Sequence, residues 1–476
     1  MKNILIYPAI AAMLICAMPS CSNDDPANPS GGNYTPVNNE AISKALVCAK
    51  VMPENTRPSH NKFNNWEEYE AANEQMRTRR QKVRDFSWKF AETVGSNTDK
   101  NIVVSPMSAF MVLGMAAESA NGQTQEEIYN TLGLSPEELK YMSALLCNEL
   151  NRNLYPDHTY DWETGQEVQI TPKNLIKSIN TLWTCDKVHF NQDGLAKISK
   201  DFYCDLFSAD FGSGEGNKLI NAYVKNETRG FLDVNLDVDP ETVLAIMNVL
   251  YMKEVWNDNS RDLDETKNKY DFANSDQSKV SKKLLEAYYQ DGRAIKCDNY
   301  RKFFARTNDG FTLTFIVPED GNTASGIYKH DAMSNNQYTY SEQEGNVVTR
   351  YHTRCLFPEF NADMLASVKE AIETMGVRSL FVDGGCDFSN LVESVDGYPG
   401  IYCGDVKQAA RLEVTRSGIE GAAVTIMEMA GESCPGPDKV IYKDVYEDFI
   451  VDRAFAYTLE DPYGNVLFTG VVNKIE

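Results

Sequence analysis

Five histidines, eleven cysteines and an excess of carboxylates are the groups in this 476-residue chain that offer chemistry. The histidines stand far apart, at 60, 158, 189, 330 and 352, which argues against a multi-histidine metal site. Setting Cys16 and Cys21 aside, nine cysteines remain, at 48, 147, 185, 204, 297, 355, 386, 403 and 434. They are odd in number, widely spaced and free of any C-x-x-C pair. Neither zinc nor a dense disulfide framework is expected, and most should be small buried hydrophobes. There is no G-x-S-x-G elbow, no H-E-x-x-H and no G-x-x-x-x-G-K-[ST] loop. "GSGEG" at 212–216 reads as a flexible loop without the Lys-Ser/Thr of a phosphate cradle. Glycosidase carboxylate pairs carry no local marker, and runs such as "TQEEI" fit solvated helix faces. No enzyme and no cofactor are expected.

The segment that asks for a role is Thr415–Met429, "TRSGIEGAAVTIMEM". Side chains of a strand alternate between two faces. One set here is Ile419, Gly421, Ala423, Thr425 and Met427, all uncharged; the other holds Glu420 and Glu428. The segment suits burial on one face, yet it runs into "AGESCPGPDK", the composition of an exposed loop.

The elements around it follow from period and punctuation. Residues 63–95 carry apolar positions at three- and four-residue steps, a helical pattern. "NIVVSPMSAFMVLGMAAES" breaks a short apolar run at Ser105-Pro106 and continues as an apolar helix. "IKSINTLWTCDKVHF" reads as a buried strand, and "KLINAYVKNETRGFL" as a helix stopped at Gly230. "VLAIMNVLYMKEVW" is continuous enough for a central strand covered on both faces. "FFARTNDGFTLTFIVPED" alternates like a hairpin, and the last 28 residues place two strands around Asp-Pro-Tyr-Gly-Asn. Helices lead and strands follow without βαβ alternation, so the chain reads as one α+β domain built on large sheets.

Hydrophobic content of 42% and charged content of 24% are those of a globular protein. A net charge of −23 argues against nucleic acid and heparin-like polyanions as partners. Residues 1–20 have a lysine and an apolar run of signal length leading to Cys21. "MPSC" resembles a bacterial lipoprotein signal, in which Cys21 becomes the lipid-bearing first residue. "SNDD" after it resembles the acidic tag of lipoproteins sent to the cell surface. The resemblance implies an exported lipoprotein of the outer membrane, held by its lipid alone; an ordinary secretory signal is the alternative. Residues 21–60 are expected to form a flexible tether, with the folded domain at 61–476.

Five segments in order resemble the serpin family. "NIVVSPMSAFMVLGM…ANGQTQEEI" is similar to its "NI-hydrophobic-SP-x-S" strand and helix, and "VLAIMNVLYMKEVW" to its "LVNAIYFKGxW" strand. "LFPEFNADMLASVKEAIETMGVRSLF…CDFSNL", "DVKQAARLEVTRSGIEGAA" and "FIVDRAFAYTLEDPYGNVLFTGVVN" follow the family's later motifs. The resemblance implies a serpin fold, with helices packed on large mixed β-sheets and an exposed reactive loop at about 416–448. Its implied hinge is Gly418, Ile419, Glu420, Gly421, Ala422 and Ala423. Ser105, Ser108, Asn248 and Gln408 match the polar groups beneath the opening of the sheet, where Gln408 replaces a common histidine. Trp256 matches the tryptophan at the top. Core packing and strand hydrogen bonding are equally open roles for these residues. Counting seventeen residues from Arg416 puts the reactive bond at Glu432–Ser433, and cleavage at Met427, Met429 or Ala430 stays open because the loop is long.

The implied activity is that of a monomeric suicide inhibitor of a serine protease of elastase, chymotrypsin or glutamyl type, with a cysteine protease a lesser candidate. A non-inhibitory binding or carrier protein is the rival. Arg416-Ser417 in place of paired acids, Glu254 in place of glycine and Ala454 in place of proline depart from the family pattern.

Overall fold

The computed structural model describes residues 36–95, 98–152, 157–161, 166–170, 175–256, 262–307, 309–420 and 441–476. Glycines, prolines and caps set the helix ends where the sequence signals them. Ser105 caps helix α3 (Pro106–Ser119) by accepting from the Ser108 N–H, with Pro106 in the first turn, where its missing N–H costs nothing. The long helix α2 (Trp66–Gly95) buries Met76, Val83, Phe86 and Phe90, the three- and four-step stripe of its sequence. Arg80 interrupts that stripe, and Glu149 takes it in a two-pronged ion pair at 2.8 and 2.9 Å, with Asn465 at 2.8 Å. This polar clamp fixes α2 to the turn between the last two strands. "GSGEG" is less of a loop than expected: Gly214, at φ +78°, precedes a helix spanning Glu215–Glu227.

Three sheets make the body. The largest has seven strands in the order β1 (Leu46–Cys48), β3 (Cys204–Ser208), β2 (Leu175–Thr184), β4 (Leu244–Val255), β9 (Gly418–Glu420), β8 (Lys407–Thr415) and β7 (Phe360–Ser367). It is mixed: β2 runs parallel to β3 and antiparallel to β4. A six-stranded sheet orders Ile295–Lys296, Tyr300–Arg306, Thr312–Pro318, Phe455–Glu460, Val466–Val472 and Ile102–Val104. The third sheet centres on β6 (Val347–Phe357), which pairs with β5 (Leu285–Asp291) on one edge and, in parallel, with β10 (Ile441–Ile450) on the other. The α3 helix lies between the first two sheets, and its all-round apolar sequence matches that burial.

Three expectations change here. The tether through residue 60 is too long, because helix α1 (Asn39–Ala45) and strand β1 belong to the folded body. Ile42 is buried there against the large sheet, which the polar composition nearby hides. The reactive loop through 448 is also too long, since Ile441–Asp448 lie in β10. Finally, β4 is not covered evenly: its first half is only half-buried, whereas Val249–Glu254 are largely buried.

Candidate functional site

The site begins at a two-residue turn. Strand β8 reverses at Arg416-Ser417 and returns as β9, with Thr415 opposite Gly418. Four contacts hold the turn. The Trp256 indole donates to the Thr415 carbonyl at 2.5 Å, and the Leu263 N–H donates to the Arg416 carbonyl at 2.7 Å. The Arg416 N–H donates to Glu359 Oε1 at 2.7 Å, and its guanidinium pairs with Asp262 at 3.4 Å. Trp256 is fully buried against Phe357.

From this turn Gly418–Glu420 run antiparallel to both β8 and β4, so they are a strand between two others. Ile419 stands level with Val414 on one side and Glu254 on the other, and all three are buried. The expectation that the hinge lies outside the sheet is therefore corrected for its first three residues. A β-branched apolar side chain gains by this burial. Gly421, Ala422 and Ala423 of the expected hinge, and Glu432 and Ser433 of the expected bond, lie outside the described residues, as do Met427, Met429, Ala430 and Cys21.

Below Glu420 the two flanking strands stay apart. Among the described residues no strand pairing joins β4 to β8 there, and a cleft of about 670 Å³ lies between Leu244–Met252 and Val406–Arg411. Ala109, Val112, Leu113 and Ala116 of α3 form its apolar floor. This cleft explains why the first half of β4 is half-buried. The segment 228–243 covers the opposite side, contributing Phe231, Leu236 and Val238. Asn217 and Asn221 pin that cover from one helix face. Asn217 exchanges hydrogen bonds with Val238 (3.0 and 3.0 Å), and Asn221 does so with Leu236 (2.8 and 3.3 Å). From β8, Lys407 Nζ donates to the Asp237 carbonyl at 2.6 Å, and the Arg411 guanidinium lies 4.8 Å from the Phe231 ring.

The polar residues singled out from the sequence divide across this cleft. Ser105 and Gln408 exchange two hydrogen bonds, the Ser105 N–H to Oε1 at 3.0 Å and Nε2 to the Ser105 carbonyl at 2.8 Å. Ser105 Oγ also donates to the Leu467 carbonyl at 2.9 Å and lies 3.1 Å from Ser108 Oγ. Gln408 thus uses both ends of its amide, which a histidine ring would do differently. Asn248 belongs to the other bank: its Nδ2 donates to Ser178 Oγ and Asn180 Oδ1, both at 2.9 Å. Its Oδ1 is buried without a hydrogen-bond partner among the described residues.

Glu254 is the residue whose weight the sequence understated. Burial pushes its carboxyl well above the ordinary range, Asp309 adds repulsion, and Thr307 and Arg152 offset this only in part. Its Oε2 has no partner among the described residues. Only its place in an apolar strand run hinted at burial, because the residues that enclose it come from distant segments. Asn217 and Asn221 went unnoticed for the same reason, although their four-residue spacing puts them on one helix face.

Fold and site together define an α+β protein whose large sheet is parted between two strands and holds the start of a connecting segment at the top of the gap. The chain matches the Serpin (serine protease inhibitor) family over residues 81–475, and it belongs to that family. It is 27% identical to iripin-1 of Ixodes ricinus over 404 residues, covering 82% of this chain and 93% of that one. The thermophilic serpin tengpin in its native state shares the fold with a TM-score of 0.62 at 19% identity, over 83% of this chain and 93% of tengpin. Thyroxine-binding globulin in complex with thyroxine does so with a TM-score of 0.58 at 20% identity, over 82% and 98%. The family consists mostly of protease inhibitors.

Proposed function

We propose that this serpin inhibits a serine protease as a suicide substrate, and that residues after Glu420 are the bait. The observation that carries the reading is the seat of Gly418–Glu420 between β4 and β8, directly above a cleft bounded by the same two strands. A protease attacking the bait through its nucleophilic serine forms an acyl-enzyme and frees the new chain end from β10. The severed segment then continues β9 down the cleft, with Gly421, Ala423, Thr425 and Met427 following Ile419 onto its buried face. No carboxylate on that face has to leave water, which would cost several kcal/mol. N–H groups of the new strand pass Asn248, whose Oδ1 has a bond to gain. The tethered enzyme is dragged along before water completes deacylation, and a displaced triad loses orders of magnitude in rate.

Incubation of the folded domain with chymotrypsin, elastase, trypsin and a glutamyl-specific endopeptidase tests this. The expected result is an SDS-stable complex with at least one of them. Mass spectrometry of the released peptide locates the bond, for which Glu432–Ser433 is our first choice. Loop cleavage without any stable complex would favour the rival reading of a carrier, which draws support from the likeness to thyroxine-binding globulin. We further propose export as a lipoprotein of the outer membrane through Cys21, with the domain displayed to proteases outside the cell. Labelling with palmitate in the full chain, lost in Cys21→Ser, is the expected outcome.

A further inference from the structure

The outer face of the third sheet carries an ordered array of rings and charges that loop insertion leaves unused. Tyr442, Asp444, Tyr446 and Asp448 of β10 are exposed and stand level with Val348, Arg350, His352 and Arg354 of β6. Arg350 grips Asp444 with two bonds of 2.7 and 3.0 Å, and Arg354 grips Asp448 at 2.9 and 2.8 Å. His352 has Asp291 at 3.0 Å from Nδ1 and Asp444 at 3.2 Å from Nε2. The Tyr446 ring stacks on His352 at 5.1 Å and 22°, and Tyr289 meets it edge-on at 5.1 Å. The Arg350 guanidinium lies 4.9 Å from the Tyr442 ring.

These contacts leave much of each ring open to solvent. Tyr442 and Tyr446 each stay 60% exposed. Strand pairing alone would be served by threonine or valine, and large rings on an edge strand invite unwanted association. Tyrosine and arginine held in place before contact are the composition and condition of a binding hot spot, because little side-chain entropy is left to lose.

The geometry points to this face as a docking site for the protease that engages residues 421–440. The assignment rests on the inhibitor reading. The described chain stops at Glu420 and resumes at Ile441, one residue before Tyr442. An enzyme holding the intervening peptide is thereby kept beside this face. The outward array sets four carboxylates, Glu286, Asp291, Asp444 and Asp448, against two guanidiniums and one imidazole, in a chain of net charge −23. The complementary enzyme has a basic rim around its cleft.

The test uses the folded domain with Tyr442→Ala and Tyr446→Ala together, the corresponding double phenylalanine variant, and Tyr442→Ala alone, which leaves the Tyr446–His352 stack intact. Chymotrypsin, elastase and a glutamyl-specific endopeptidase are the probes. The readouts are the second-order rate constant for attack on the loop at low and high salt, and the partition between stable complex and cleaved product. With the enzyme that the parent traps or is cut by fastest, we expect the alanine pair to slow attack about tenfold. The phenylalanine pair should slow it less than about twofold, and the single variant should fall between. High salt should shrink the parent's advantage. Partition, melting temperature and the cleavage rate of a free 416–448 peptide should not change. Equal rates for parent and alanine pair with every enzyme overturn the docking site while leaving the inhibitor reading intact. A tyrosine-dependent rate without any stable complex sinks the inhibitor reading on which the assignment rests.

Discussion

Gly418 has no space for a side chain. A Cβ there would stand 2.0 Å from the Glu254 carbonyl oxygen, on the backbone of the neighbouring strand. Gly418→Ala must push β9 away from β4, at about 1–3 kcal/mol for an overpacked contact. The expected outcome is slower insertion, so that more loops are cut without trapping the enzyme. The number of inhibitor molecules consumed per enzyme inactivated should rise severalfold at an unchanged rate of attack. Glu254 gives a prediction in pH. Its carboxyl holds a proton in the folded state at pH values where the unfolded chain has lost it, chiefly because burial penalises the charge. The folded state therefore loses stability as pH climbs from the ordinary carboxylate value through the raised one, and the penalty is complete above that. Glu254→Gln should stabilise the protein at neutral and alkaline pH and bring little near pH 4. Denaturant titrations at pH 4, 6 and 8 check the sign. The family resemblance marked Gly418 as a hinge glycine and Glu254 as a departure from the pattern, but the clash distance and the oxygen left without a partner among the described residues exist only once β4 and β9 are side by side.

At the scale of elements, the proposed insertion has to pass the segment 228–243, which covers the cleft and is pinned to the Glu215–Glu227 helix by Asn217 and Asn221. Removing both amides with Asn217→Ala and Asn221→Ala deletes four hydrogen bonds, each worth about 1 kcal/mol net. We expect faster hydrogen exchange across 231–239 and faster loss of inhibitory activity on warming, as uncut chains insert their own loop. Unchanged exchange would show the cover to be held by its apolar side chains instead. The elements themselves were readable where pattern was strong: the α2 stripe, the Ser105-Pro106 start of α3 and the two C-terminal strands all stand where period and punctuation put them. Strand β1 and the uneven cover of β4 were not readable. A three-residue strand has too little sequence to show a period, and cover depends on what another segment does.

For the whole molecule, the proposed mechanism makes cleavage stabilising. A strand continuing from Glu420 down the cleft adds about ten backbone hydrogen bonds, or about 10 kcal/mol at about 1 kcal/mol each, before any apolar gain. At about 0.9 kcal/mol per degree for a domain of this length, the melting temperature should rise by about 10 °C or more after loop cleavage. Differential scanning calorimetry of intact and nicked protein measures it, and an unchanged melt would remove the driving force from the mechanism.

The alternating Ile419–Met427 face and the order of five motifs were enough to determine the fold class and to single out a candidate hinge. Those features are local, set by neighbours a few residues apart, and a linear reading captures them. Tertiary structure alone decided that Gly418–Glu420 are already seated, that Ser105 and Gln408 share one bank of the cleft while Asn248 lies on the other, and that rings from β5 and β10 gather on one face with the charges of β6. Each of these depends on strands more than a hundred residues apart in places being brought to hydrogen-bonding distance. Burial and pairing across such gaps are properties of the packed sheet, and no period in the sequence encodes them.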